Sequence, residues 1–197
     1  MHTTIIFAHP WHGSFNKAIL DAVTKELELH QKEYSLIDLN KDGFNPAMAE
    51  SDLALYSRGQ STDRLVQRYQ EMLKDTDELI FIFPIWWNNI PAILKGFMDK
   101  VMLKDFSYIE TPIGLKGKLT HIKRTFLFTT SESPTAYINL LKGNPIRGTF
   151  IKGTLKVIGL KKIKWRNHDM TTSGSDKNRQ KYLEKVAEQL TDRSYSK

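Results

Sequence analysis

Three short segments of this chain are apolar without alternation: Thr3–Ala8 (TTIIFA), Glu78–Pro84 (ELIFIFP) and Thr125–Phe128 (TFLF). A strand with one face in water alternates apolar and polar side chains, so runs that fail to alternate belong to strands covered on both faces. Helical periodicity fills the spaces between them, over Phe15–Leu29, Thr62–Leu73, Pro91–Leu103 and Asp176–Leu190. With Ser35–Leu39 as a second strand and Lys161–Trp165 as a fifth, strand and helix alternate along the whole chain. Right-handed crossovers then predict an α/β three-layer sandwich, a five-stranded parallel sheet in the order 2-1-3-4-5 with helices on both faces. The stretch KVIGLKKIKWR alternates Lys with apolar residues, as an edge strand does.

At 197 residues and 40% hydrophobic the chain holds one sizeable core, and with no repeat or linker-like tract the expectation is a single domain over residues 1–197. It has no cysteine, which excludes disulfides, thiolate metal sites and a catalytic thiol and suits a reducing, cytoplasmic setting. The N-terminus lacks a basic leader, and no segment approaches the roughly 18 apolar residues of a membrane span, so neither export nor integral membrane association is expected. Net charge is +7 and uneven: residues 1–100 carry 10 Lys+Arg against 14 Asp+Glu, residues 101–197 carry 19 against 8. Such a basic half attracts anions. There is no zinc-finger spacing, aromatic RNP-type strand or sustained basic helix, so nucleic acid is not the expected partner.

In a flavodoxin-like sheet of this order, ligands lie beyond the carboxyl ends of the strands where strand order reverses. The segments leaving strands 1, 3 and 4 are HPWHGSFN, PIWWNNIP and TTSESPTAY. In the first, Gly13 permits a positive-φ turn and Ser14 caps a helix whose free N–H groups would stabilise a phosphate. A metal held by His9 and His12 has no third ligand nearby in sequence. In the second, Pro91 reads as the first residue of a helix. Adjacent Trp86 and Trp87 cannot both enter one core, so one fills the core and the other offers a flat wall for a planar ring. In the third, Thr129 and Thr130 could bond the edge of a heterocycle, with Tyr137 returning its phenol towards the site. A P-loop, a G-x-G-x-x-G fingerprint and a nucleophile elbow are all absent.

Together these loops resemble those of the NAD(P)H quinone oxidoreductases of DT-diaphorase type, which are flavodoxin-like flavoenzymes. AHPWHGSFNKAI is similar to the family's phosphate loop, FPIWWNNIPAILKGFMDKV to its tryptophan and PAILKG segment, TTSESPTAY to its TT…Y segment and FNPAMAESDL to a further stretch. The resemblance implies a flavin, with His9, Ser14, Phe15 and Asn16 at its ribityl and phosphate part. Pro84, Ile85, Trp86 and Trp87 would lie along the isoalloxazine, and Thr129, Thr130, Ser131 and Tyr137 at its pyrimidine end. NRQKYLEK is similar to the segment that contacts an adenylate, which makes Arg179 and Leu183 candidates and inclines the cofactor to FAD, with FMN as the alternative. Tyr137 and Tyr108 are the implied catalytic residues.

The implied activity is two-electron, ping-pong hydride transfer from NADH or NADPH to a quinone or related electrophile, in a homodimer. Two other readings stay open: an oxidoreductase-like regulatory subunit of a potassium efflux system, and a flavodoxin-type electron carrier. The sequence departs from the family in three places. Ser131 and Glu132 stand where paired glycines are usual, Asn88 where an aromatic follows the tryptophan, and Gly143 where some members carry a relay histidine.

Overall fold

The computed structural model describes residues 1–191, so the last six residues of the expected 1–197 unit lie outside it. Its elements run β1 (Thr3–Phe7), α1 (Phe15–Leu29), β2 (Tyr34–Asp38), α2 (Glu50–Tyr56), α3 (Arg64–Lys74), β3 (Glu78–Pro84) and α4 (Ala92–Val101). There follow β4 (Tyr108–Thr111), β5 (Gly114–Gly117), β6 (Arg124–Thr130), α5 (Thr135–Leu140), a π-helix (Ile146–Leu155), β7 (Ile163–His168) and α6 (Asp176–Thr191). The main sheet is parallel in the order β2-β1-β3-β6-β7. With β6 and β7 as the expected fourth and fifth strands, this is the flavodoxin-like 2-1-3-4-5 arrangement.

Period-two alternation within the continuous apolar runs sends their side chains into two cores. Ile6, Phe81, Phe83 and Leu127 face a cluster completed by α3, α4 and the π-helix, while Ile5, Phe7, Ile80, Ile82, Phe126 and Phe128 face α1 and α6. Every residue of β1, β3 and β6 is buried. Edge strand β7 is only half buried, as the alternation of Lys164 and Arg166 with Ile163 and Trp165 predicts.

Helix α1 and strand β3 occupy the ranges expected from the sequence, and other boundaries move. Strand β2 begins one residue early. β7 starts at Ile163 because its register is set by pairing Thr125 with Ile163 rather than by the apolar pattern. Pro91 is the residue before α4, with φ −61° and ψ 149°, and not its first helical residue. The antiparallel hairpin β4–β5 and the π-helix were not expected.

The excursion between β2 and α3 is fastened to α4 by contacts that explain two of the sequence segments together. Phe44 packs between Tyr69 and Phe97. A Cβ on Gly96 would stand 2.3 Å from both Cβ and the carbonyl oxygen of Pro46, so only glycine lets FNPAM lie against PAILKG. Lys100, 5% exposed, donates to Asn45 O at 3.2 Å and pairs with Asp63 at 3.3 Å and Asp52 at 3.5 Å. Gly96→Ala should cost about 1–3 kcal/mol, the usual penalty of overpacking against backbone, read as a lower urea midpoint at unchanged m-value. Lys100→Met leaves two partly exposed carboxylates unpaired. Its expected cost is about 1–3 kcal/mol, below that of a fully buried pair, measured the same way.

Candidate functional site

The exits of β1, β3 and β6 meet at one residue. The carbonyl of Thr130, which ends β6, accepts from Ile85 N at 2.7 Å, and its hydroxyl accepts from Asn16 Nδ2 at 2.8 Å. The His9 ring closes the third side, edge-on to Trp86 with centroids 5.7 Å apart. Thus the three loops singled out in the sequence are brought together at the carboxyl end of the sheet.

In the first loop Ser14 caps α1, its Oγ accepting from Lys17 N at 3.2 Å. The first-turn amides have no acceptor within the helix and carry its partial positive charge. Gly13 is not in the positive-φ region. A Cβ there would meet the exposed Trp11 indole at 2.5 Å, so a larger residue would displace that ring. The histidines diverge: His9 Nδ1 accepts from Trp11 N at 3.1 Å, and His12 Nε2 stands 3.5 Å from Asp38. Among the described residues no group of three His, Asp or Glu could hold a metal.

After β3 the chain makes a tight reversal. Trp86 N donates to Asn89 O at 3.0 Å, Asn89 N donates back at 2.9 Å, and Trp87 and Asn88 have φ of 49° and 60°. Two central residues at positive φ define a type I′ turn. Such a turn displays its side chains outward, which corrects the expectation that one indole fills the core: Trp86 is 46% exposed and Trp87 100%. Asn tolerates the left-handed region, and Asn88 Nδ2 donates to Lys142 O at 2.9 Å, joining the turn to the end of α5.

Between turn and helix lies a cavity of about 690 Å³. Ile85, Trp86, Trp87 and Asn88 form one wall, Ser131, Glu132 and Ser133 the other, and Ile138 and Lys142 close it. Of the hydroxyl run expected to face a ligand, only Ser131 lines this cavity. Thr129 is fully buried, donating to Asn167 Oδ1 at 2.7 Å and accepting from Trp165 Nε1 at 2.9 Å. Thr130 is consumed in the junction and Pro84 lies within β3, opposite it. Glu132 reaches the rim, where its carboxylate accepts from Thr172 N at 2.8 Å.

Tyr137 lies on α5 outside the cavity wall, half exposed, with Lys142 Nζ 5.3 Å from its ring centroid. Tyr108 lies on β4 in a separate cleft beside Met98 and Leu115, where burial pushes its phenol pKa up. Within this chain neither phenol reaches the cavity. Phe15 packs on His168 and Tyr182 at 4.7 and 6.0 Å, so it anchors α1 to the layer of α6.

The sequence missed a second cavity of about 350 Å³, lined by Arg166, His168, Asn178, Lys181, Tyr182 and Lys185 among others. Lys181 and Lys185, four apart on α6, were the available signal. The two residues expected here do other work. Arg179 donates to Thr171 O and Gly174 O, each at 2.9 Å, and pairs with Asp176, while Leu183 packs on the core. Burial lowers the pKa of both His9 and His168, so each presents a neutral ring at pH 7.

Asn16 Oδ1, Asn88 Oδ1 and His168 Nδ1 are buried polar atoms without a hydrogen-bond partner in the chain. Buried polar atoms are normally satisfied; Asn40 Nδ2 and Thr125 Oγ1, elsewhere in the chain, share this state, so it does not by itself mark a ligand site. The arrangement suits an elongated ligand: a planar ring against the indoles, an anion at the α1 N-terminus, and a second polar part on the basic cavity.

Comparison with known proteins agrees with this architecture. The family described as flavodoxin-like fold matches residues 1–190. An uncharacterized NAD(P)H oxidoreductase, YcaK, of Escherichia coli K12 is 31% identical over 106 residues, 53% of this chain and 54% of that protein. NAD(P)H dehydrogenase [quinone] 1 of Rattus norvegicus is 29% identical over 150 residues, 68% of this chain and 54% of that one. The aligned part thus spans about half the length of these two relatives. Among solved structures, Smu.1420 from Streptococcus mutans UA159 superposes with a TM-score of 0.82 at 32% identity, covering 95% of this chain and 97% of the other. With a sheet order, loop placement and family match that coincide over residues 1–190, the chain belongs to the flavodoxin-like fold family.

Proposed function

We propose that the chain is a flavin-dependent NAD(P)H oxidoreductase that reduces quinones or related electrophiles by two-electron hydride transfer, acting as one flavin-binding unit over residues 1–197. The observation that carries this reading is the indole-walled cavity at the carboxyl ends of β3 and β6, backed by the N-terminus of α1. A flavin held there by the Trp86 and Trp87 indoles and the N-terminus of α1 would supply two-electron hydride chemistry between NADH or NADPH and a quinone, which with a proton from solvent becomes the hydroquinone.

The chain's own residues do the rest. Trp86 and Trp87 present flat apolar surface to a stacked ring and keep water from it. Ser14 orders the first turn of α1 so that its amides face a phosphate. Asn16 Oδ1 and the His9 ring stand beside that turn, as acceptor and wall. Ser131 and the amides after β6 meet the polar edge of the ring. Lys142, which lines the cavity, places positive charge where the ring would gain negative charge on reduction.

FAD fits better than FMN because the basic cavity holding Arg166, Lys181 and Lys185 lies just past α1, reached through the Phe15–His168 contact. In this reading Lys181, Lys185 and Asn178 replace Arg179 and Leu183 as the adenylate-side contacts. Tyr108, remote from the cavity of its own chain, serves a partner's site in a homodimer. The setting proposed is the cytoplasm; among the described residues no helix is long and apolar enough to cross a membrane.

Mass spectrometry of the released cofactor should return FAD. Stopped-flow absorbance should show bleaching on addition of NADH or NADPH and recovery on addition of quinone, and no bleaching with either donor would overturn the enzyme reading. Trp87→Ala should leave the melting temperature unchanged, because the side chain is fully exposed. It should also raise the quinone KM about tenfold, the loss of roughly 1.4 kcal/mol of stacking. An unchanged KM would remove Trp87 from the site.

A further inference from the structure

The loop between β1 and α1 carries two histidines that face opposite ways. His9 packs edge-on to Trp86 on the β3 side. His12 turns towards β2: its Nε2 stands 3.5 Å from Asp38 Oδ2, and its ring meets Phe7 edge-on with centroids 6.5 Å apart. Asp38 closes β2 directly beside Phe7 in the parallel register, and it is 4% exposed. Its Oδ1 accepts from Lys41 N at 3.1 Å, which leaves Oδ2 to the imidazole. A second carboxylate follows one turn on: Asp42 N donates to Asp38 O at 2.9 Å, and Asp42 Oδ2 accepts from the Tyr69 phenol at 2.8 Å.

The β2 side of the loop is therefore acidic, and His12 is the loop side chain that meets it. A buried carboxylate is costly unless it is paired, and an imidazole can present an N–H to Oδ2 in either charge state. Two residues further on, Ser14 opens α1, the place where a phosphate is proposed to sit. No acidic residue stands in the first turn of α1, whose Lys17 pairs with Asp21. Asn16, 3% exposed, keeps its Oδ1 without a partner in the same turn.

We propose that His12 sets the affinity of this phosphate seat through Asp38, its N–H edge covering a buried carboxylate that would otherwise repel the anion. The inference rests on the flavin reading above and concerns only the phosphate or pyrophosphate part of the cofactor. His12 acts on Asp38 and does not touch the phosphate. An uncovered like charge at the dielectric of a protein surface weakens an anion by about three- to tenfold.

The test titrates the full-length protein with riboflavin, FMN, FAD and inorganic pyrophosphate, reading flavin fluorescence for the first three and the rise in melting temperature for the last. In His12→Ala, FMN and FAD should bind about three- to tenfold more weakly, and the pyrophosphate rise should shrink. Riboflavin, which has no phosphate, should bind as in the parent. His12→Gln keeps an N–H donor of similar reach and should recover most of the loss. Adding Asp38→Asn to His12→Ala should restore it as well, because the repulsion is gone while the Asn oxygen can still accept from Lys41 N.

A loss that persists in the double variant would mean that His12 meets the phosphate itself or merely shapes the loop, and would overturn the proposal. So would a loss that extends to riboflavin, or parent-like binding of every ligand in His12→Ala. A pyrophosphate response that depends on His12 in a protein that binds no flavin would leave the pair standing and sink the flavin reading. Flavin binding indifferent to His12 would do the reverse, and no response to any of the four ligands would overturn both.

Discussion

Thr130 is the joint on which the candidate site depends. Its main chain receives the amide of Ile85 from the exit of β3, and its side chain receives the amide of Asn16 from the first turn of α1. Buried bonds of this kind are costly to leave unmade, so the three loops cannot separate without orphaning groups at the end of the sheet. The parallel register places Pro84 beside Thr130, which makes the reach of Ile85 short. Thr129 does similar service one residue earlier, tying β6 to Trp165 and Asn167 of β7. The hydroxyl run that reads in sequence as a ligand-facing edge is mostly scaffold, and the face offered to a ligand begins at Ser131.

The layers of this fold were legible because burial on both faces leaves no freedom in composition. ELIFIFP and IIF can only be central strands, and the amphipathic stripe from Phe15 to Leu27 only a covering helix. Less legible were features set by local conformation. The hairpin β4–β5 turns through Pro112 and Ile113 and pairs only four residues a side, too few to show alternation. The π-helix repeats Gly-Thr-apolar at Gly148 and Gly153, a period of five that fits neither common helix nor strand templates. It could have been noticed, since i to i+5 bonding is what such a period accommodates.

Site residues were legible to the level of the loop but not of the side chain. Of Trp86 and Trp87 one was expected in the core and the other as a wall, yet both are exposed, which depends on two consecutive positive-φ residues. Asn88 is the only hint of those in the sequence. Arg179 was assigned by resemblance, while its guanidinium closes the loop before α6 and leaves the neighbouring face, with Lys181 and Lys185, to the cavity. Gly143 lacks the imidazole some relatives carry, and the adjacent Lys142 brings a charge instead.

Charge is distributed along the site with a direction. The first cavity carries one ammonium, Lys142, and one carboxylate, Glu132, whereas the second gathers Arg166, Lys181 and Lys185 against Asp169. The loop before α1 and the helix's first turn lie between them, touching Trp86 through His9 and His168 through Phe15. A ligand with a neutral ring and an anionic tail therefore has one favourable orientation, ring to the indoles and anion to the lysines. The reverse would strip hydration from phosphates against apolar walls, a far larger penalty than any stacking could offset. On the function proposed above, that polarity would put the reactive ring at the open tryptophan end, away from the basic cavity. A second, uncharged substrate would then approach it there without competing for the cations proposed to hold the first.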